Sequence, residues 1–249
     1  MGSAQTRFLV LQHLEVEHPG SLRDMMTSDG TWDVVRMDAR ESIPDLEDYD
    51  ALLAFGGPMD VWQETEFPWL KKEKTAIRDF VLRLNRPFLG VCLGHQILAE
   101  ALGGKVGRMK VPEVGVRTVE RTAAGATDQI LGLLPDSFPT VQWHGAEVKS
   151  LPQNSALLAT NAACPVQAFR TGNLAYGIQY HVEVEPTTVS EWGRIGEYRD
   201  ALEEIAGKGG QDSFERAADA SMPLFLDSAR RLYEGFRGLA VRSRMLRVA

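Results

Sequence analysis

The chain has 249 residues, 44% hydrophobic and 24% charged, with 34 acidic side chains against 27 Lys and Arg and a net charge of −7. A sizeable core can be buried and global disorder is excluded, while the acidic balance argues against a general nucleic-acid or membrane-surface binder. Two cysteines rule out a disulfide framework, no zinc-type Cys/His spacing occurs, and no apolar run approaches the roughly 20 residues of a spanning helix.

The first apolar run, Phe8 to Leu11, is too short for a signal peptide and reads as a buried strand. Ahead of it, Met1-Gly2-Ser3-Ala4-Gln5-Thr6 matches the loose myristoylation pattern, a weak signal. The expected setting is cytoplasmic, with free thiols. Leu22 to Thr27 reads as a short helix, Trp32 to Arg36 as a second strand, and Ala51 to Phe55 as a third, stopped by Gly56-Gly57-Pro58. Trp69 to Leu84 is the clearest helix, because Ile77, Phe80, Val81 and Leu84 share one face. Phe88 to Val91 is a fourth strand, followed directly by Cys92 and a helix over His95 to Leu102, ended by Gly103-Gly104. Strands are expected over Val114 to Glu120, Thr140 to Trp143, Ala156 to Thr160, Val166 to Arg170 and Leu174 to Tyr180.

From Pro186 onward the pattern is helical, with a break at Gly207-Lys208-Gly209-Gly210. A final helix is expected to start near Ser221 as its cap, with Pro223 in the first turn. Met222, Phe225, Leu226, Ala229, Leu232, Phe236 and Ala240 form a stripe that would dock on the main domain. Arg230, Arg231, Arg237, Arg242, Arg244 and Arg247 make the end basic; a solvated helix face is the plain reading and an acidic partner the sharper one. The alternation of short strands and helices points to an α/β fold, doubly wound around a mostly parallel sheet.

Gly90-Val91-Cys92-Leu93-Gly94-His95-Gln96 carries the most chemistry. A buried strand runs straight into a helix with Cys92 at the corner and a glycine two residues to either side, the cysteine counterpart of a nucleophile elbow. The sulfur is lifted above the carboxyl end of the sheet, where ligands of such folds bind. The helix amino terminus favours thiolate, and the N–H of Leu93 points where an oxyanion would sit. After another strand, the Gly57 N–H is a good second oxyanion donor. Cys164, in Ala162-Ala163-Cys164-Pro165, has no elbow and reads as a buried hydrophobe.

In Gly177-Ile178-Gln179-Tyr180-His181-Val182-Glu183, the imidazole and the carboxylate two residues on point to the same side of an extended chain. Glu183 can hold one ring nitrogen of His181 and leave the other to take the thiol proton. His144 is the rival base, but its surroundings favour a pocket wall. His95 reads as structural. His13 and His18 sit on an early loop with no role assigned.

These residues resemble the class I, triad-type, glutamine amidotransferase family. Gly90, Cys92, Gly94 and Gln96 match its Gly-x-Cys-x-Gly-x-Gln pattern, Gly56-Gly57-Pro58 its oxyanion loop, and Gly177 to Glu183 its Gly-x-Gln-Phe-His-Pro-Glu segment. Gln167-Ala168-Phe169 resembles the strand before it. Within the family, the likeness is to the glutaminase domain of GMP synthetases. The resemblance implies the flavodoxin-like fold over residues 1–190, with a helical extension over 191–249 packed on it. It implies attack by Cys92 on the side-chain amide of glutamine, a γ-glutamyl thioester, and release of ammonia and then glutamate. His181 would shuttle protons, Glu183 would orient it, and Gly57 and Leu93 would hold the oxyanion. Gln96, Gly56, Trp143, His144 and Gly145 would bind substrate, with no metal or organic cofactor.

Two positions depart from the family pattern: Val182 replaces the usual proline, and Ala146 stands where synthetase-linked members often carry aspartate after His-Gly. The chain carries no attached synthetase domain, so an ammonia acceptor would be a separate polypeptide. Hydrolysis of another γ-glutamyl amide, by a γ-glutamyl peptidase, is the close alternative. A regulatory subunit on the same fold is the non-enzymatic one.

Overall fold

A segment apolar at every position suits a strand covered on both faces. In the computed structural model, which describes residues 5–248, the Phe8 to Leu11 part of β1 (Thr6–Gln12) behaves this way. Phe8 and Val10 point into one apolar cluster, Leu9 and Leu11 into another on the opposite face. Residues 1–4, which hold most of the myristoylation pattern, lie outside the described residues.

The other elements follow in order: α1 (Leu22–Asp29), β2 (Gly30–Arg36), β3 (Ala51–Ala54), α2 (Trp69–Leu82), β4 (Phe88–Val91) and α3 (Leu93–Ala101). Then come β5 (Lys105–Arg121), the one-turn α4 (Ala123–Ala126), β6 (Ser137–Ser150), β7 (Ser155–Thr160), β8 (Ala168–Thr171) and β9 (Ala175–Ile178). The chain ends in α5 (Thr188–Trp192), α6 (Gly196–Ala206) and α7 (Gly210–Val248). The sheet order is β2-β1-β3-β4-β9-β8-β7-β5-β6. From β2 to β9 the pairing is parallel, and beyond β9 it is antiparallel. Helices α1 and α7 cover one face and α2 and α3 the other, the doubly wound arrangement expected. The parallel strands β3, β4 and β9 end side by side, so the segments that follow them converge at one edge.

Two expectations need correction. Strands β5 and β6 run well beyond Val114 to Glu120 and Thr140 to Trp143, forming a long hairpin with a register shift between Arg108 and Glu113. The added residues include exposed, Gly- and Lys-bearing positions whose strand state comes from pairing rather than from an apolar pattern. The last helix begins at Gly210, not near Ser221, and Pro223 lies inside it. An internal proline costs about 3 kcal/mol. Burial of Phe214 and Ala218 before it and Phe225 after it, in a third cluster with Trp143, Trp192 and Tyr198, offsets that cost.

The docking stripe is otherwise as expected: Phe225, Ala229, Leu232, Phe236 and Ala240 are buried, but Leu226 faces solvent. Gly207 and Gly209 adopt positive φ between α6 and α7, which accounts for the break. The arginines are engaged within the chain: Arg230 and Arg231 with Asp227, Arg237 with Asp29, and Arg247 with Asp50.

Candidate active site

Between β4 and α3 a single residue turns the chain. Cys92 does so with φ 52° and ψ −104°, a conformation that L residues rarely adopt. Its N–H donates to Ile178 O at 2.8 Å, and that of Gly94 donates to Phe55 O at 3.2 Å, lacing the corner to its neighbours. A Cβ at Gly90 would come within 2.4 Å of Gly94 O, and one at Gly94 within 2.1 Å of Ala54 O. Those are backbone atoms that cannot yield, so the corner closes only with both glycines present.

His181 lies just past β9, where its backbone exchanges hydrogen bonds of 2.9 and 3.0 Å with Val141 of β6. Its Nδ1 is 2.6 Å from Glu183 Oε1, and the ring lies close enough to Cys92 for the thiol to influence its basicity. With Nδ1 taken, Nε2 is the nitrogen left for the sulfur. Burial alone would lower the basicity of His181, but Glu183 and the contact with Cys92 outweigh it, and its pKa is raised. The edge of Trp192 lies against the ring, with centroids 4.7 Å apart.

Cys92 opens on a cavity of about 190 Å³, lined in part by Gly57 and Leu93. Among the described residues the N–H groups of Gly57 and Leu93 have no internal acceptor. Two unused donors beside a thiol that reaches a carboxylate-held imidazole can stabilise the oxyanion of acyl transfer. Among the described residues no group of three or more His, Cys, Asp or Glu could hold a metal ion, and no helix is long and apolar enough to cross a membrane.

The model of the glutamine amidotransferase class-I family matches residues 21–191, well over half of the chain. The chain belongs to the class I glutamine amidotransferase family. A glutamine-hydrolyzing GMP synthase subunit of Sulfurisphaera tokodaii is 40% identical over 143 residues, covering 57% of this amidotransferase and 71% of that protein. Gamma-glutamyl peptidase 3 of Arabidopsis thaliana is 31% identical over 145 residues, 56% of each chain. A crystal structure of a glutamine amidotransferase from Thermotoga maritima superposes with a TM-score of 0.83 at 30% identity, covering 94% of this chain and 99% of its own. Coverage that wide takes in helices beyond residue 191, so the helical end belongs to the shared fold.

In this amidotransferase Gln96, Trp143, His144 and Gly145 all line the cavity. Gln96 gives its amide protons to Ala146 O at 3.2 Å and Gln179 Oε1 at 3.0 Å, leaving its carbonyl oxygen as an acceptor at the wall. His144 has both ring nitrogens engaged, Nδ1 with Ala146 O at 2.9 Å and Nε2 with Gln142 Oε1 at 3.0 Å. That arrangement suits a wall and leaves no nitrogen to act as base. Trp143 is a buried wall and an anchor, its Nε1 donating to Tyr198 O at 2.9 Å. Gly56 lies behind the cavity, against His181 and Glu17. Val182 donates its N–H to Glu183 Oε2 at 3.0 Å. The valine in place of the family's usual proline thus supplies a donor that proline lacks.

His95 is buried beside Phe169, and burial holds its pKa down to about 3, which keeps it neutral. Cys164 is buried, and its pKa is pushed up to about 12 by that burial. Both fit structural roles.

Sequence reasoning missed several neighbours of the site. Glu197, Tyr198 and Ala201 of α6 line the cavity, as do Met59 and Asp60. Glu17 is buried beside His181, and His13 is buried against Gly56. Residues 13–20 carry no apolar period or glycine fingerprint; only the two histidines hinted at chemistry there.

Proposed function

We propose that Cys92 attacks the side-chain amide of glutamine, with His181 as proton shuttle and Glu183 as its orienter. As the C–S bond forms, the carbonyl oxygen takes up negative charge between the N–H groups of Gly57 and Leu93. Collapse breaks the C–N bond, and the His181 imidazolium protonates the departing ammonia. Water then gives a proton to His181 and attacks the γ-glutamyl thioester. The C–S bond breaks, glutamate leaves, and the sulfur recovers its proton. The observation that carries this reading is the Glu183-held imidazole of His181 beside Cys92, at a cavity with two unused N–H donors. Gln96, Trp143, His144 and Gly145 are assigned to the substrate wall, with Gly56 behind them.

The likeness to the glutamine-hydrolyzing part of a GMP synthase supports delivery of the ammonia to a separate synthetase chain. Residues 1–190 are read as the catalytic unit, and 191–249 as the extension that closes its cavity. Two unpaired cysteines fit a cytoplasmic setting.

A second reading has its own support. The chain also resembles a gamma-glutamyl peptidase, and Ala146 leaves its stretch of wall without a carboxylate. Incubation with glutamine and with γ-glutamyl dipeptides, followed by assays for ammonia and for free amine, separates the two. Ammonia from glutamine supports the amidotransferase reading; cleavage of dipeptides alone replaces it.

A further inference from the structure

The loop after β1 holds a buried ion pair outside the triad. His13 and Glu73 are both fully buried, with His13 Nε2 at 2.9 and 3.0 Å from the two Glu73 oxygens. His13 Nδ1 is 3.0 Å from Gly56 O. A carbonyl oxygen only accepts, so Nδ1 must carry a proton and donate. Trp69 of α2 stacks on the ring at 5.4 Å and 22°, fixing its plane. Ring orientation is therefore set from three sides.

Gly56 O belongs to the same peptide unit as the Gly57 N–H. The chain contains no cis peptide among the described residues, and in a trans unit the C=O and N–H point in opposite directions. Holding the oxygen toward His13 therefore turns the N–H away from it. Gly57 lines the cavity beside Cys92, and among the described residues its N–H has no internal acceptor. A peptide between two glycines has little steric resistance to flipping, so an external hold decides its orientation.

We propose that His13, clamped by Glu73, is a positioning residue that fixes the Gly56–Gly57 peptide so that the Gly57 N–H serves as an oxyanion donor. This deepens the functional reading above and rests on it. A purely structural role explains the arrangement poorly, since a buried ion pair is often no more stabilising than apolar residues of the same size. A hydrogen bond to the carbonyl also polarises the peptide, which makes its N–H a stronger donor. Burial lowers the basicity of His13, but Glu73, the Gly56 carbonyl and Glu17 together outweigh it and its pKa is raised, in keeping with a charged donor.

The test separates oxyanion binding from thiol reactivity. His13→Phe keeps an aromatic ring against Trp69 and removes the donor. Three quantities are measured on it and on the wild type: turnover of glutamine or a γ-glutamyl dipeptide, affinity for glutamate γ-semialdehyde, and the rate of Cys92 alkylation by iodoacetamide. The aldehyde forms a thiohemiacetal whose oxyanion needs the donors; alkylation does not. Loss of one such donor costs about 10²–10³-fold in rate. Expected are a fall in kcat and in aldehyde affinity of about 10²-fold, with KM and alkylation within about threefold of wild type. Glu73→Gln can still hold the ring and should retain activity within about tenfold, whereas Glu73→Leu should resemble His13→Phe.

Wild-type aldehyde affinity in His13→Phe overturns the proposal, and so does a parallel loss of aldehyde affinity and alkylation. If His13→Phe does not fold, the same ratio in Glu73→Leu decides. Failure of the wild type to turn over any γ-glutamyl compound defeats the functional reading, while the aldehyde-to-alkylation ratio still judges the positioning role.

Discussion

The hydroxyl of Tyr198 donates to the carboxylate of Glu17, joining α6 to the loop after β1 at the back of the site. Glu17 is buried, and its pKa is raised by that burial against the opposing pull of His181 and Tyr198. Removing the hydroxyl leaves a buried carboxylate without its donor, which costs about 1–3 kcal/mol. Tyr198→Phe should therefore lower stability by that amount in urea denaturation and reduce turnover. A variant as stable as wild type would show that the bond contributes nothing.

Cys92 holds a positive φ that an L side chain resists. Cys92→Ala should abolish turnover and keep the fold, while Cys164→Ala should change activity little. Cys92→Gly should be equally inactive yet more stable than Cys92→Ala. Relief of left-handed strain is worth about 1–2 kcal/mol, and the greater freedom of glycine in the unfolded chain offsets about 0.4–1 of it. The net difference, roughly 1 kcal/mol in favour of glycine, is readable from paired denaturation curves.

Gly56 sits where a side chain would strike the site. A Cβ there would come within 2.3 Å of Glu17 Oε2 and 3.1 Å of His181 Cε1. Glu17 is held by Tyr198 and cannot simply swing aside. Displacement of a reacting group by about 1 Å can cost 10²-fold in rate. Gly56→Ala should lose about that much kcat while remaining folded, as checked by turnover and circular dichroism.

The His13–Glu73 pair makes stability depend on pH. The groups facing His13 are Glu73, Glu17 and the Gly56 carbonyl, and its folded pKa is raised. A raised value means that the folded state holds the proton more tightly than the unfolded chain. The contribution is complete below the ordinary histidine value of about 6.5 and is lost as pH climbs through the folded value. The Tm gap between wild type and the double variant His13→Gln/Glu73→Gln should therefore shrink as pH rises from about 6.5. A gap that widens with pH would contradict this assignment.

The elbow, the His181–Glu183 pair and most strands can be read along the chain because each is a local pattern. Gly90, Cys92 and Gly94 announce a corner, and residues two apart on an extended segment share a side, as His181 and Glu183 do. Phe8 to Leu11 and Phe88 to Val91 announce strands covered on both faces. What local pattern cannot supply are the partners brought in from far along the chain. His13 meets Glu73 and Gly56, Glu17 meets Tyr198, and α6 walls the cavity, because helices packed on a common sheet bring distant segments together. The start of α7 escapes local reading for the same reason. A proline is a stop signal judged alone, but the buried aromatics on either side of Pro223 outweigh it once the helix lies against Trp143 and Trp192.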